Sequence, residues 1–233
     1  SLSNEQYAEY MRTAKPSTDK AATQMVERVG TRLANAVIKY LTENGYADDA
    51  KTYNWVFNLV QAAQVNAFCI PGGKIVVYDG LLPVTQDETS LAIVLGHKIA
   101  HAVAKHSMER MSNAVKQENA AQIFNVAMAA AGVSTKAQNI SNIVWGLGTE
   151  LGSAKSSRNH ESEADHLGLI FAAMAGYDPA AAIPFWQRMA AVGGSNYSLL
   201  STHPSDQKRI ENIQKWLPEA QKYYVPVVET KPA

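Results

Sequence analysis

His97 and His101 lie four residues apart in the run Gly96-His97-Lys98-Ile99-Ala100-His101. On a helix that spacing puts both imidazoles on one face, about one turn apart. Two neutral imidazoles so placed can hold one zinc ion. The run fits the pattern H-E-x-x-H at every position except one, because Lys98 stands where the pattern has its general-base glutamate. An ammonium group donates and cannot accept. At about 5 Å from a dication, in an effective dielectric near ~20, it meets a repulsion on the order of several kcal/mol. These residue types fit metal binding and do not fit proton abstraction.

A histidine pair at this spacing is by itself common on helix surfaces and in cores. Here Leu91, Ile93, Val94 and Leu95 precede it and Ile99 lies inside it. That setting predicts a buried helix, where a pair of imidazoles without a ligand would be costly. His106 lies about 140° further round and should point elsewhere. A third histidine of the extended pattern H-E-x-x-H-x-x-G-x-x-H is excluded, since Ala104 and Ser107 occupy its last two fixed positions. The remaining ligand must come from another segment. Ser157-Arg158-Asn159-His160-Glu161-Ser162-Glu163-Ala164-Asp165 offers carboxylates at 161 and 165 on one helical face, with Glu163 nearly opposite. Glu161 can ligate the ion, and Asp165 can accept the second N–H of a liganding histidine. The plainer reading is a solvated acidic face, but the continuation Leu167-Gly168-Leu169-Ile170-Phe171 favours a packed helix.

The elements that must position these groups are visible in the patterning. Apolar residues at Met25, Val29, Leu33, Ala36, Val37 and Tyr40 predict a helix over 19–44, ended by Asn44-Gly45. Between 53 and 78, three short runs rich in Val, Ile and aromatics (53–60, 65–70 and 74–78) predict a small antiparallel sheet, its hairpin at Pro71-Gly72-Gly73. Thr85-x-x-Glu88 has the form of a capping box opening the histidine helix, 86–111. Helical stretches follow near 114–131, 136–152 and 157–175, the last stopped by Gly176. Asp178-Pro179 then opens a helix to about Ala191. The loop Gly193-Gly194-Ser195-Asn196 leads to His203-Pro204 and a last helix near 205–217, with an extended tail after Pro218.

Composition narrows the function classes. The chain of 233 residues has 46% apolar and 18% charged residues, with 21 basic against 21 acidic. Zero net charge without clustered Lys or Arg gives no electrostatic case for nucleic acid or an anionic membrane. The one cysteine, Cys69, excludes an internal disulfide framework and reads as a small buried hydrophobe. No apolar run reaches the roughly 20 residues of a membrane span; Ile123–Val133 is shorter and reads as a buried helix. The start Ser1-Leu2-Ser3, without Met or a leader, has the look of a mature or trimmed form.

Four segments together carry a resemblance. They are Asn66-Ala67-Phe68 with Pro71-Gly72-Gly73, the His97–His101 helix, Ser157-Arg158 through Asp165, and His203-Pro204 with Arg209. With them the chain resembles a gluzincin of metallopeptidase family 48, which holds the HtpX-type heat-shock proteases, the CAAX prenyl proteases and soluble bacterial envelope proteases. The resemblance implies an α+β, mostly helical zincin-type peptidase domain over 1–233, with the edge strand of its sheet bordering the active-site cleft. It implies zinc held by His97, His101 and Glu161, with Asp165 behind a liganding histidine. His203 and Arg209 would lie over the metal and stabilise an oxyanion or hold substrate. Asn66, Ala67 and Phe68 would form the edge along which an extended polypeptide hydrogen-bonds. From the residues alone, His203 before proline is an ordinary loop histidine, and 66–68 an ordinary core strand.

The implied activity is zinc-dependent endopeptidase cleavage of extended or misfolded protein, with Lys98 leaving this chain nearly inactive. Because Asp165, His203 and Arg209 are intact, a changed residue in an otherwise working protease is favoured. The alternative is a non-catalytic pseudo-protease serving as a peptide-binding or chaperone-like module. The resemblance and the absence of a span lead us to expect a bacterial cell-envelope location, periplasmic or lipid-anchored.

Overall fold

The computed structural model describes residues 2–70, 72–115, 158–192 and 207–227. Helix α1 (Leu2–Thr13) is followed by α2 (Lys20–Glu43), whose Val26, Val29, Leu33, Val37 and Tyr40 are buried along one face. Asp19 caps α2, its Oδ1 accepting from the Ala22 N–H at 3.0 Å, and Gly45 follows its end at φ +89°. After a single turn, α3 (Ala47–Ala50), come strands β1 (Val56–Val60), β2 (Ala67–Ile70) and β3 (Lys74–Tyr78).

The sheet order is β1-β3-β2. β2 and β3 form the expected antiparallel hairpin, but β1 runs parallel to β3, so the sheet is mixed rather than wholly antiparallel. Lys74 through Val77 are buried without alternation, the signature of a strand covered on both faces. β3 therefore takes the middle place, and β1 and β2 pair to either side of it. Periodicity reports which face a residue takes, not which strand lies beside it. The outer edge of β1 is sealed by residues 15–17, through Ser17 N–H to Leu59 O (2.9 Å) and Gln61 N–H to Lys15 O (2.8 Å). β2 forms the other edge.

A short helix, α4 (Leu82–Thr85), precedes α5 (Glu88–Val115). The expected Thr85/Glu88 capping box does not form. Thr85 Oγ1 donates back to Leu82 O within α4, and Gln86 turns the chain at φ +68°. The cap is Asp87, whose Oδ1 accepts from Ser90 N–H at 2.7 Å. Glu88 faces sideways to Arg28, Arg32 and the Tyr177 hydroxyl (2.7 Å from the last). In α5 the residues Leu91, Ile93, Val94, Leu95, Ile99 and Val103 are all buried, as in a helix covered on every side.

Helix α6 (Arg158–Met174) ends at Gly176, φ +97°. Asp178 caps a 3₁₀ turn at Pro179–Ala181, which leads into α7 (Ala182–Val192). Helix α8 (Gln207–Gln221) continues through Pro218, where the sequence suggested an extended tail. The proline removes one backbone bond, the one that would run to residue 214, and buried Ile213 and Ala220 keep the helix packed on either side of it. The predicted stretch 136–152, most of 114–131, the run Ile123–Val133, the loop 193–196 and His203-Pro204 lie outside the described residues. Among the described residues no helix is long and apolar enough to cross a membrane.

Candidate active site

The site is built on the crossing of α5 and α6, where two glycines bring the backbones together. A Cβ added to Gly168 would lie 2.8 Å from His97 N, and one added to Gly96 would lie 2.8 Å from Gly168 O. Such distances leave no room for any side chain between the helices. The crossing falls one residue before His97 and three after Asp165, so these two side chains meet directly. His97 Nδ1 and Asp165 Oδ1 are 2.7 Å apart, both groups almost fully buried. A carboxylate only accepts, which assigns the proton of a neutral His97 to Nδ1 and makes Nε2 the acceptor nitrogen of the ring.

Arg209, from α8, donates from Nη2 to the same Asp165 Oδ1 at 2.6 Å. Its guanidinium carbon sits 3.5 Å from the centroid of the Trp186 ring of α7. Burial alone would raise the Asp165 pKa, but the Arg209 charge and then His97 outweigh it and hold the carboxyl below the ordinary carboxylate range. The Trp186 ring also lies edge-on to His97, centroids 6.5 Å apart. Three helices thus converge behind one imidazole.

The His101 ring is 4.8 Å from that of His97, inclined at 76°. Lys98 is half-buried between them in sequence. The backbone of Glu161 lies in α6 one turn before Asp165, while its side chain, like those of His106 and His160, lies outside the described residues. Among the described residues no three His, Cys, Asp or Glu side chains form a metal-holding group. The donor set that is described, an imidazole with its Nδ1 oriented by a carboxylate and a second imidazole one turn on, is the kind zinc takes. His166 belongs elsewhere: its Nε2 is 2.8 Å from Glu219 Oε2 and its ring stacks on Trp216 at 4.7 Å.

Asn66, Ala67 and Phe68 lie at the start of β2, the edge strand beside α5. Tyr78 N–H donates to Asn66 O at 3.1 Å. The antiparallel alternation then turns Phe68 and Ile70 toward β3, and the backbone groups of Ala67 and Cys69 toward the edge. The Ala67 N–H is satisfied by Asn66 Oδ1 at 2.9 Å. The Phe68 ring packs edge-on against Tyr10 of α1 (5.2 Å) and Tyr78 (5.7 Å).

Arg209 was expected over the metal; its described contacts are with Asp165 and Trp186. Three residues that matter here escaped the sequence reading. Gly96 and Gly168 each interrupt an apolar helical run, and a glycine inside such a run is a signal of close packing. Trp186 carried no signal, since nothing in its local sequence tells what it faces.

Residues 20–217 match the profile of peptidase family M48, and the chain belongs to that family. Among its relatives is the mitochondrial metalloendopeptidase OMA1 of Schizosaccharomyces pombe, 40% identical over 170 residues, covering 72% of this chain and 48% of that protein. OMA1 of Saccharomyces cerevisiae is 32% identical over 209 residues, covering 85% and 57%. The beta-barrel assembly-enhancing protease of Yersinia pestis is 28% identical over 218 residues, covering 89% and 42%. The chain spans about half the length of these curated relatives. The expectation of a bacterial envelope location, periplasmic or lipid-anchored, is overturned. The relatives at 31–40% identity, from fungi, a plant and vertebrates, are mitochondrial proteins. The reason is physical: a neutral charge balance and the lack of an apolar run describe a surface, and that surface is compatible with many compartments.

Proposed function

We propose that this chain carries the site of a zinc metalloendopeptidase acting on extended or misfolded polypeptide, and that Lys98 at the general-base position leaves it nearly inactive. The observation that carries the reading is the buried His97–Asp165 pair at the crossing of α5 and α6. In this reading His97 Nε2, His101 and Glu161 hold the ion. Zinc bound there supplies Lewis acidity toward water and toward the scissile carbonyl. Asp165 keeps His97 in the tautomer that ligates, and Arg209 keeps Asp165 ionised and in place. In this reading the β2 edge at Asn66, Ala67 and Phe68 takes an extended substrate as a further strand, the substrate displacing Asn66 Oδ1 from the Ala67 N–H. His203, just ahead of α8, serves the developing oxyanion.

As an ammonium Lys98 accepts no proton from water, and loss of a general base costs about 10²–10⁴ in rate. The test is Lys98→Glu. The variant should cleave casein, the parent chain should not, and a chelator should abolish the cleavage. Lys98 also favours a second reading, a pseudo-protease that binds peptide without cutting it. A folded, zinc-loaded Lys98→Glu protein that remains inert would decide for that second reading. Absence of zinc from both proteins would defeat the metallopeptidase reading itself.

A further inference from the structure

We propose that Trp186 is a positioning residue of this site, acting through Arg209 and Asp165 to hold His97 in its metal-binding tautomer. The inference rests on the reading of His97 as a metal ligand, and it assigns a role to a residue outside every motif of the site. Arg209 and Trp186 are 6% and 2% exposed, so the guanidinium charge has lost its water. A desolvated guanidinium needs a carboxylate, an aromatic face, or both. Arg209 has both, Asp165 Oδ1 at 2.6 Å and the Trp186 ring at 3.5 Å.

The flat ring does more than balance charge. A planar guanidinium lying on a planar indole keeps one orientation, and its NH2 group then points along a fixed line. That line ends on the oxygen that also accepts from His97 Nδ1. Asp165 Oδ1 is thus held from one side by Arg209 and holds the imidazole on the other. The same indole meets the His97 ring edge-on, so it limits both ends of the relay. Without the shelf, the guanidinium can rotate away, Asp165 follows it, and His97 is free to carry its proton on Nε2, the nitrogen that must ligate. A tryptophan that merely filled the core would affect stability and leave the tautomer alone.

The experiment uses the whole chain, and in parallel its Lys98→Glu form, with ¹⁵N-labelled histidine. Long-range ¹H–¹⁵N NMR reads the His97 tautomer without metal, and competition with a chromogenic chelator reads zinc affinity. The parent and Trp186→Phe should show the Nδ1–H form, with zinc affinities within about threefold of each other. Trp186→Leu should show a mixture of tautomers and bind zinc about 10–100-fold more weakly, the range for residues behind a metal ligand. Arg209→Lys keeps the charge without the plane and should lose affinity similarly. A folded Trp186→Leu protein with the parent tautomer and affinity overturns the proposal. If Trp186→Leu does not fold, Arg209→Lys with parent behaviour overturns it as well. A parent that binds no zinc, while the tautomer still responds to Trp186→Leu, would instead defeat the metal reading and leave the positioning role standing.

Discussion

Replacing Gly168 by alanine tests whether the site depends on the contact between α5 and α6. The new Cβ would lie 2.8 Å from His97 N and 3.0 Å from both Gly96 C and His97 Cα. All three are backbone atoms of a buried helix, so no side chain can swing aside. An ordinary contact begins near 3.4 Å, and the helices must therefore separate by about 0.6 Å or more. The same displacement stretches the 2.7 Å His97–Asp165 contact toward the limit of a hydrogen bond. Overpacking costs about 1–3 kcal/mol, and weakening a hydrogen bond to a charged group costs about 1.5–3 kcal/mol. Alanine in place of glycine returns about 1 kcal/mol of helix propensity. The net loss is then about 1.5–5 kcal/mol, which for a chain of this size lowers Tm by roughly 3–20 °C. Thermal unfolding followed by circular dichroism measures it, and zinc titration should show weaker binding in parallel. A Gly168→Ala protein that melts at or above the parent temperature and binds zinc equally would refute the reasoning, because only the propensity gain would then have acted.

Three further perturbations follow from the described contacts. Asp87→Ala should lower stability by about 1 kcal/mol, a Tm shift of roughly 2–4 °C, because Asp87 caps α5; an Asp87→Asn protein should retain most of that stability, and equal loss in both would argue against the cap. Glu88→Gln should cost about 1 kcal/mol at pH 7 by weakening the links to Arg28, Arg32 and Tyr177. Burial raises the Glu88 pKa, but Arg28 and then Tyr177 outweigh it and the net direction is down. Its contribution is therefore present above the ordinary glutamate pKa, near ~4.3, and disappears as pH falls through the lowered value. Urea unfolding at pH 7 and pH 3 should show a larger difference between variant and parent at the first pH than at the second. Asp165→Asn breaks a buried pair and should cost about 3–5 kcal/mol at pH 7. Since the Asp165 carboxyl is held below its ordinary value near ~3.9, that difference should persist through pH 5 and close only in stronger acid. Closure above pH 5 in the same urea series would contradict the assigned ionisation.

Much of the candidate site was legible because its parts are local. His97 and His101 belong to one helix turn, and Asp165 follows Glu161 by four residues, so side-chain periodicity alone puts each pair on one face. Asp178 was legible as a helix start for a similar reason, since the hydrogen bond it accepts reaches only two residues along the chain. The Thr85/Glu88 box failed despite matching its pattern. A competing turn at Leu82–Thr85 took the threonine, and two arginines of α2 took the glutamate. The place of β3 in the sheet was hidden as well, because an apolar run records burial and not the identity of the neighbouring strand.

The sequence by itself determined the donor types, their spacing within each helix, and the substitution of lysine at residue 98. It also determined the cap on the turn before α7 and the glycines that follow α2 and α6. Only the tertiary structure decided that α5 and α6 touch through Gly96 and Gly168, that Arg209 shares one oxygen of Asp165 with His97, and that Trp186 lies beneath that arginine. Spacing along a helix follows from 1.5 Å per residue and 3.6 residues per turn. The meeting of residues 97, 165, 186 and 209 follows from how four helices pack, and no local rule contains that.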